Sequence, residues 1–220
     1  IQAGHSLEKA NKIEMILKKE NTALVNQRAK FPGTKTDTGL LTSFQNFLKK
    51  YGRIYYFLLN VFEPVWPSTA YRRTIKKLLR KYDREHIVLN MGSGPTYFNE
   101  RRDLINVDFH PYEEVDIVAD ITDLPVADGT IDFIINIAVL EHVEQVHMAV
   151  REMFRILKPG GEVLCYVPFI VPFHGAPQDF HRWTMLGMEK LFANYEILET
   201  GIGCGPTSGL LWIFQEWTAI

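Results

Sequence analysis

The chain has 220 residues, 46% of them hydrophobic, and a formal net charge of −2, which is enough apolar material for one globular core with an appendage. Its two cysteines, Cys165 and Cys204, stand at no metal-type spacing and suggest no disulfide framework, so no metal is expected. No apolar run is long enough to span a bilayer and no signal peptide opens the sequence; the expected compartment is the cytoplasm, and Ile1 in place of Met suggests a trimmed N-terminus.

The charge is unevenly shared. Up to His86 there are 17 Lys and Arg against 7 Asp and Glu, and after it 7 against 19. A basic segment ahead of an acidic domain suits either an anionic surface as partner or packing of the one on the other.

In chain order, Leu7 to Val25 has helical spacing, with Leu7, Ile13, Ile16, Leu17 and Leu24 separated by charges. Phe31-Pro32-Gly33 breaks the pattern, and Thr34 to Thr38 reads as a loop. Leu40 to Phe62 is an aromatic helix carrying Phe44, Phe47, Tyr51, Tyr55 and Tyr56. Ser68 caps a further helix from Thr69 to Tyr82, whose Arg72, Lys76 and Arg80 repeat at four-residue intervals. Residues 1–85 are therefore expected to form a helical N-terminal segment or lid, and residues 86–220 a second domain.

From Ile87 the pattern becomes short strands alternating with helices, which argues an α/β fold with a mostly parallel sheet. Strands are expected at Ile87–Asn90, Leu104–Asp108, Asp116–Ala119, Phe133–Ile137, Gly161–Val167 and Tyr195–Gly201. Helices are expected at Glu144–Leu157, Thr184–Phe192 and Thr207–Trp217. The first two crossovers are too short for the usual helix. One sheet face should then be covered by the aromatic helices before His86.

The first strand runs directly into Gly92-Ser93-Gly94, a turn of the kind that brings bare backbone to a nucleotide-like ligand. Asp108 ends the second strand, near the offset at which an acid meets ribose hydroxyls, and Asp120 ends the third. With LNMGSGP, INVDF, VADITDLP, DGTIDFIINIAVLEHV and ILKPGG in this order, the stretch from Ile87 to Gly203 resembles a class I S-adenosylmethionine-dependent methyltransferase of the small-molecule, type 11-like group. The resemblance implies a Rossmann-like domain with helices on both faces, S-adenosyl-L-methionine as cofactor and S-adenosyl-L-homocysteine as product. It also implies cofactor roles for Asn90, Gly92, Ser93 and Gly94 at the first turn, Asp108 on the ribose and Phe109 beside the adenine. Asp120 and Ile121 would meet the adenine edge, and Asn136, Ile137 and Ala138 the methionine moiety.

The sequence departs from that family at Pro95, where a loop stands in place of a glycine and a long helix, and after the sixth strand, where GPTSGLLWIFQEW reads as a helix. A subset of bacterial methyltransferase-like proteins encoded among glycan-biosynthesis enzymes is similar in these respects.

The acceptor side is expected in residues 167–184, VPFIVPFHGAPQDFHRWT, together with His142. Loops after parallel strands form the site in such sheets, and histidine titrates near neutrality. His174 is expected as base or acceptor contact, with Asp179 orienting it and His142 nearby. Arg182 would hold an anionic group or pair with Asp179. His181 is expected to face solvent and Thr184 to cap a helix. Tyr51 and Tyr55 are expected to approach the substrate from the N-terminal segment. The function read from the sequence is methyl transfer to an O or N atom of a sugar-like or lipid-linked small molecule. The alternatives are a non-catalytic scaffold of the same fold, or a nucleic-acid or protein methyltransferase. Nucleic acid is disfavoured by the acidic domain and by Asn136-Ile137-Ala138-Val139 where an (N/D)PPY tetrapeptide would stand.

Overall fold

A computed structural model of the chain describes residues 2–17, 67–95, 101–175 and 178–218. They belong to two compact units, one within residues 1–29, 73–169 and 174–200 and one within residues 30–72, 170–173 and 201–220.

The first unit is built on a five-stranded sheet: β1 Val88–Met91, β2 Ile105–Asp108, β3 Ile117–Val118, β4 Ile131–Ile137 and β5 Leu157–Tyr166. The strands pair in the order β3-β2-β1-β4-β5, every neighbouring pair parallel. All four residues of β1 and of β2 are buried, the signature of parallel strands covered on both faces. The α/β, Rossmann-like architecture expected from the sequence is the one observed.

The helices are α1 Gln2–Ile16, α2 Thr69–Lys81, α3 Val146–Ile156, α4 Met185–Leu191 and α5 Pro206–Thr218. One face of the sheet packs Leu89, Met91, Ile105 and Ile134 against Ile16, against Val150 and Met153 of α3, and against Leu191 of α4. On the other face Leu79 and Tyr82 close over Val88, Leu104, Phe133 and Ile135, with the Tyr82 and Phe133 rings stacked at 4.6 Å. Burial of these side chains, at roughly 1.5–3 kcal/mol each, is what fixes both layers. Residues 109–116 cross from β2 to β3 without a helix, and the end of α2 covers the face left bare. The aromatic stretch Leu40–Phe62 lies outside the described residues.

Ser68 caps α2 as expected, its Oγ accepting from the Tyr71 N–H at 3.1 Å. Three boundaries differ from the sequence reading. The first helix ends at Ile16, and Leu17 forms an antiparallel bridge with Val126. β5 begins at Leu157, before Pro159-Gly160-Gly161, and a register shift opposite Ile131 and Phe133 absorbs the extra residues. Tyr195–Gly201 is no strand: Ile197 and Leu198 are exposed, so the segment has no neighbouring strand to bury its apolar alternation. No helix among the described residues is long and apolar enough to cross a membrane.

Candidate active site

The strand order reverses between β1 and β4, so the crevice at their carboxyl ends is the topological switch point, where open α/β sheets take ligands. Gly92 follows β1 with φ +71°. A Cβ there would lie 2.2 Å from Cγ2 of Val139, at the exit from β4. Gly94 is also left-handed, φ +59°, but a Cβ on it would meet nothing within 4 Å. The turn is thus a bare backbone surface that is open at Gly94 and closed at Gly92. Ala138, φ 54°, is the one non-glycine with a left-handed backbone among the described residues. It stands directly after β4, at the opposite lip, and such strain is characteristic of sites.

Asp108 joins two of the loops. Its Oδ2 accepts from the Gly94 N–H at 2.7 Å and its Oδ1 from the His110 N–H at 2.8 Å. Each carboxylate oxygen keeps a second lone-pair direction, so the acid is placed and oriented with acceptor capacity left. Phe109, next to it, is exposed. Asp120 is exposed too, and its Oδ1 accepts from the backbone and hydroxyl of Thr122 at 2.9 and 2.7 Å, an Asx turn that holds the loop. Ile121 is buried beneath it. Asn90 lies inside the sheet, its amide nitrogen donating to Asn106 Oδ1 at 3.0 Å. Asn136 is fully buried and its Nδ2 has no hydrogen-bond partner, a donor left unsatisfied at the end of β4. The glycine cradle and the oriented Asp108 at the switch point offer bare backbone and a carboxylate acceptor to a ligand that carries hydroxyl donors.

A second group lies immediately downstream. Leu140–His142 form a 3-10 turn, and residues 180 and 181 lie on it, their N–H groups donating to the Glu141 carbonyl. His174, His142, Asp179 and Arg182 are brought together as the sequence reading expects. The guanidinium of Arg182 grips both oxygens of Asp179, Nη2 to Oδ2 at 2.6 Å, and holds that carboxyl well below the usual carboxylate range. Asp179 Oδ2 also accepts from the His174 N–H at 2.9 Å. The Arg182–Asp179 pairing is therefore what the geometry displays. His181 does not face solvent: its Nε2 lies 3.1 Å from the Val143 carbonyl, and its ring is 5.0 Å from Trp183. Thr184 caps α4, accepting from Gly187 N–H at 3.1 Å.

The sequence reading passed over Glu141. Its side chain is 0% exposed, burial raises its pKa, and neither carboxylate oxygen has a hydrogen-bond partner. Only its place beside His142 in LEHV hinted at a role. Tyr51 and Tyr55 lie outside the described residues.

Comparison with known proteins bears on this region. A family model described as "Methyltransferase domain" matches residues 96–165. A Mycolicibacterium smegmatis protein named "Probable S-adenosylmethionine-dependent methyltransferase" is 36% identical over 63 residues, 28% of this chain and 24% of that protein. An "Uncharacterized methyltransferase" of Mycolicibacterium gilvum is 44% identical over 55 residues, 24% of this chain and 22% of that protein. The chain thus matches about a quarter of the length of these curated relatives. Among solved structures, one of a complex containing the Haloferax volcanii Trm112 methyltransferase activator aligns with TM-score 0.49 and 18% identity, over 69% of this chain and 74% of that one. An Aquifex aeolicus SAM-dependent methyltransferase aligns with TM-score 0.45 and 14% identity, over 69% and 86%.

Proposed function

We propose that this chain, whose α/β unit is a class I S-adenosylmethionine-dependent methyltransferase domain, transfers a methyl group to an O or N atom of a small-molecule acceptor that is sugar-like or lipid-linked. The observation that carries the reading is the pairing of Asp108 with Gly94 at the switch point of the sheet. There one oriented carboxylate and one bare, left-handed turn meet at 2.7 Å. When bound, S-adenosylmethionine supplies an electrophilic sulfonium methyl.

The chain's own residues do the rest. Gly94 admits the ligand to the backbone, Gly92 lets the turn close against Val139, Asp108 binds hydroxyls, and Phe109 and Asp120 border the adenine side. The segment His174–Arg182 with His142 faces the acceptor. The Arg182–Asp179 pair keeps His174 in place, so that a proton can leave the acceptor as the methyl arrives. The basic helix α2 would lie against an anionic surface, which suits a lipid-linked acceptor.

Calorimetry with S-adenosylmethionine and S-adenosylhomocysteine tests the reading. Asp108→Ala is expected to weaken both by on the order of 1–3 kcal/mol, the value of a charge-assisted hydrogen bond. Unchanged affinity would remove Asp108 from the site, and no binding by the parent chain would end the proposal.

A further inference from the structure

Glu141 is a carboxylate whose side chain is 0% exposed, with no hydrogen bond to either oxygen, and such a group is costly to keep unless something compensates it. What faces it is a pair of imidazoles, with the Arg182 guanidinium acting on it from farther off. His174 Nε2 lies 3.7 Å and His142 Nε2 3.9 Å from Glu141 Oε1. The two rings are 5.0 Å apart and nearly perpendicular, at 85°.

The tautomer of His142 is set by its other edge. Nδ1 lies 2.5 Å from the carbonyl oxygen of Gln178, which can only accept, so the proton is on Nδ1 and the neutral ring turns a lone pair at Nε2 toward Glu141. Two electron-pair donors therefore point at each other across a gap too long for a hydrogen bond. His174 brings a third nitrogen: its Nδ1 accepts from Arg182 Nη2 at 3.4 Å, with Asp179 Oδ2 3.6 Å away, so the ring is held with Nε2 toward Glu141. A histidine with a carboxylate or carbonyl behind its far nitrogen is the outer-shell arrangement that orients metal-ligating imidazoles. His142 has one, in the Gln178 carbonyl.

We propose that Glu141, His142 and His174 form a binding site for one divalent first-row transition cation. One ligand atom from each lies within 4.8 Å of the others. Bonds of about 2.0–2.2 Å require ligand atoms roughly 3.0–3.6 Å apart, so closure on an ion asks for movements of a few tenths of an ångström at the two measured gaps. Two imidazoles and one carboxylate select manganese, iron, cobalt, nickel or zinc over magnesium and calcium, which prefer all-oxygen shells. Three protein ligands leave coordination positions for water or for an oxygen or nitrogen of the acceptor. The site also gives Glu141 the counter-charge that its burial demands.

The site is independent of the cofactor, so its test uses the ion alone and its failure leaves the methyltransferase reading untouched. The full chain, stripped with chelator, is titrated with Co²⁺ by visible absorption and with Zn²⁺ by calorimetry. One equivalent is expected to bind with ligand-field bands of a nitrogen and oxygen set. Affinity should fall at least tenfold in Glu141→Gln, which keeps the shape, and in His174→Ala, which opens only a loop. His147→Ala, on the exposed side of α3, should bind as the parent does. Melting of each ion-free variant at the parent temperature separates lost ligation from lost folding. Absence of a stoichiometric equivalent in the parent, or affinities unmoved in both ligand variants, overturns the proposal.

Discussion

Gly92 and Val139 are fitted to each other with no space between them: a Cβ on Gly92 would stand 2.2 Å from Cγ2 and 2.7 Å from Cγ1 of Val139. The turn after β1 and the exit from β4 are thus one piece of packing. Gly92→Ala should destabilise the fold by roughly 2–4 kcal/mol, from overpacking and left-handed strain together. Gly94→Ala carries the strain but meets open space, and should cost about 1–2 kcal/mol. Urea midpoints of the two variants check this. Equal losses would mean that Val139 is not what excludes a side chain.

Arg155 should be the most costly polar residue to remove from the first unit. Its Nη1 donates to the Val126 carbonyl at 2.7 Å and its Nη2 to the Leu124 carbonyl at 3.1 Å. Nε and Nη2 each reach Glu152 at 2.7 Å, and Nη1 reaches Asp128. Glu152 in turn accepts from the Leu124 N–H at 2.8 Å, so one guanidinium holds the whole loop that follows Asp120. Arg155→Ala should lower stability by about 2–4 kcal/mol. Arg155→Lys should recover less than half of that, because a point charge cannot reproduce the fork. A lysine variant that melts with the parent would refute the geometric account.

His174→Ala tests the acceptor side. If His174 serves the acceptor and not the cofactor, affinity for S-adenosylmethionine should stay within a factor of about two while turnover drops ~10²–10⁴-fold. A merely structural residue would lower the melting temperature, with turnover falling only as the folded fraction falls. Nucleotide sugars and lipid-linked glycans are the acceptors to screen first.

The sheet was legible because parallel strands buried on both faces write themselves as apolar runs, and the turn after β1 because only glycine serves where Gly92 meets Val139. Asp108 and Asp120 declared themselves by ending strands. Glu141 did not, since nothing local marks it: His174 approaches its side chain and Phe180 and His181 bind its carbonyl from a distant part of the chain, and that contact is a tertiary event. Tyr195–Gly201 misled for the opposite reason. Its local alternation suits a strand, but a strand needs a neighbour, and the sheet ends at β5. The register shift at Ile131 and Phe133 was equally hidden, since Pro159-Gly160-Gly161 reads as a turn in isolation and becomes a bulge only beside β4.

The basic face of α2 leads to the last prediction. Arg72, Arg73, Lys76, Lys77 and Arg80 are all exposed, while Leu79 is turned inward, so the helix presents a cationic stripe. A cationic stripe of this kind suits the headgroup layer of an anionic bilayer, where a Lys or Arg near the surface contributes about 1 kcal/mol. The chain should therefore float with vesicles containing phosphatidylserine or phosphatidylglycerol and not with pure phosphatidylcholine. Arg73→Glu with Lys77→Glu should weaken the binding at least tenfold, given about 1 kcal/mol for each charge removed and more for each reversed. Added salt should weaken it as well. Equal binding to neutral and anionic vesicles would leave the stripe as an ordinary solvated face.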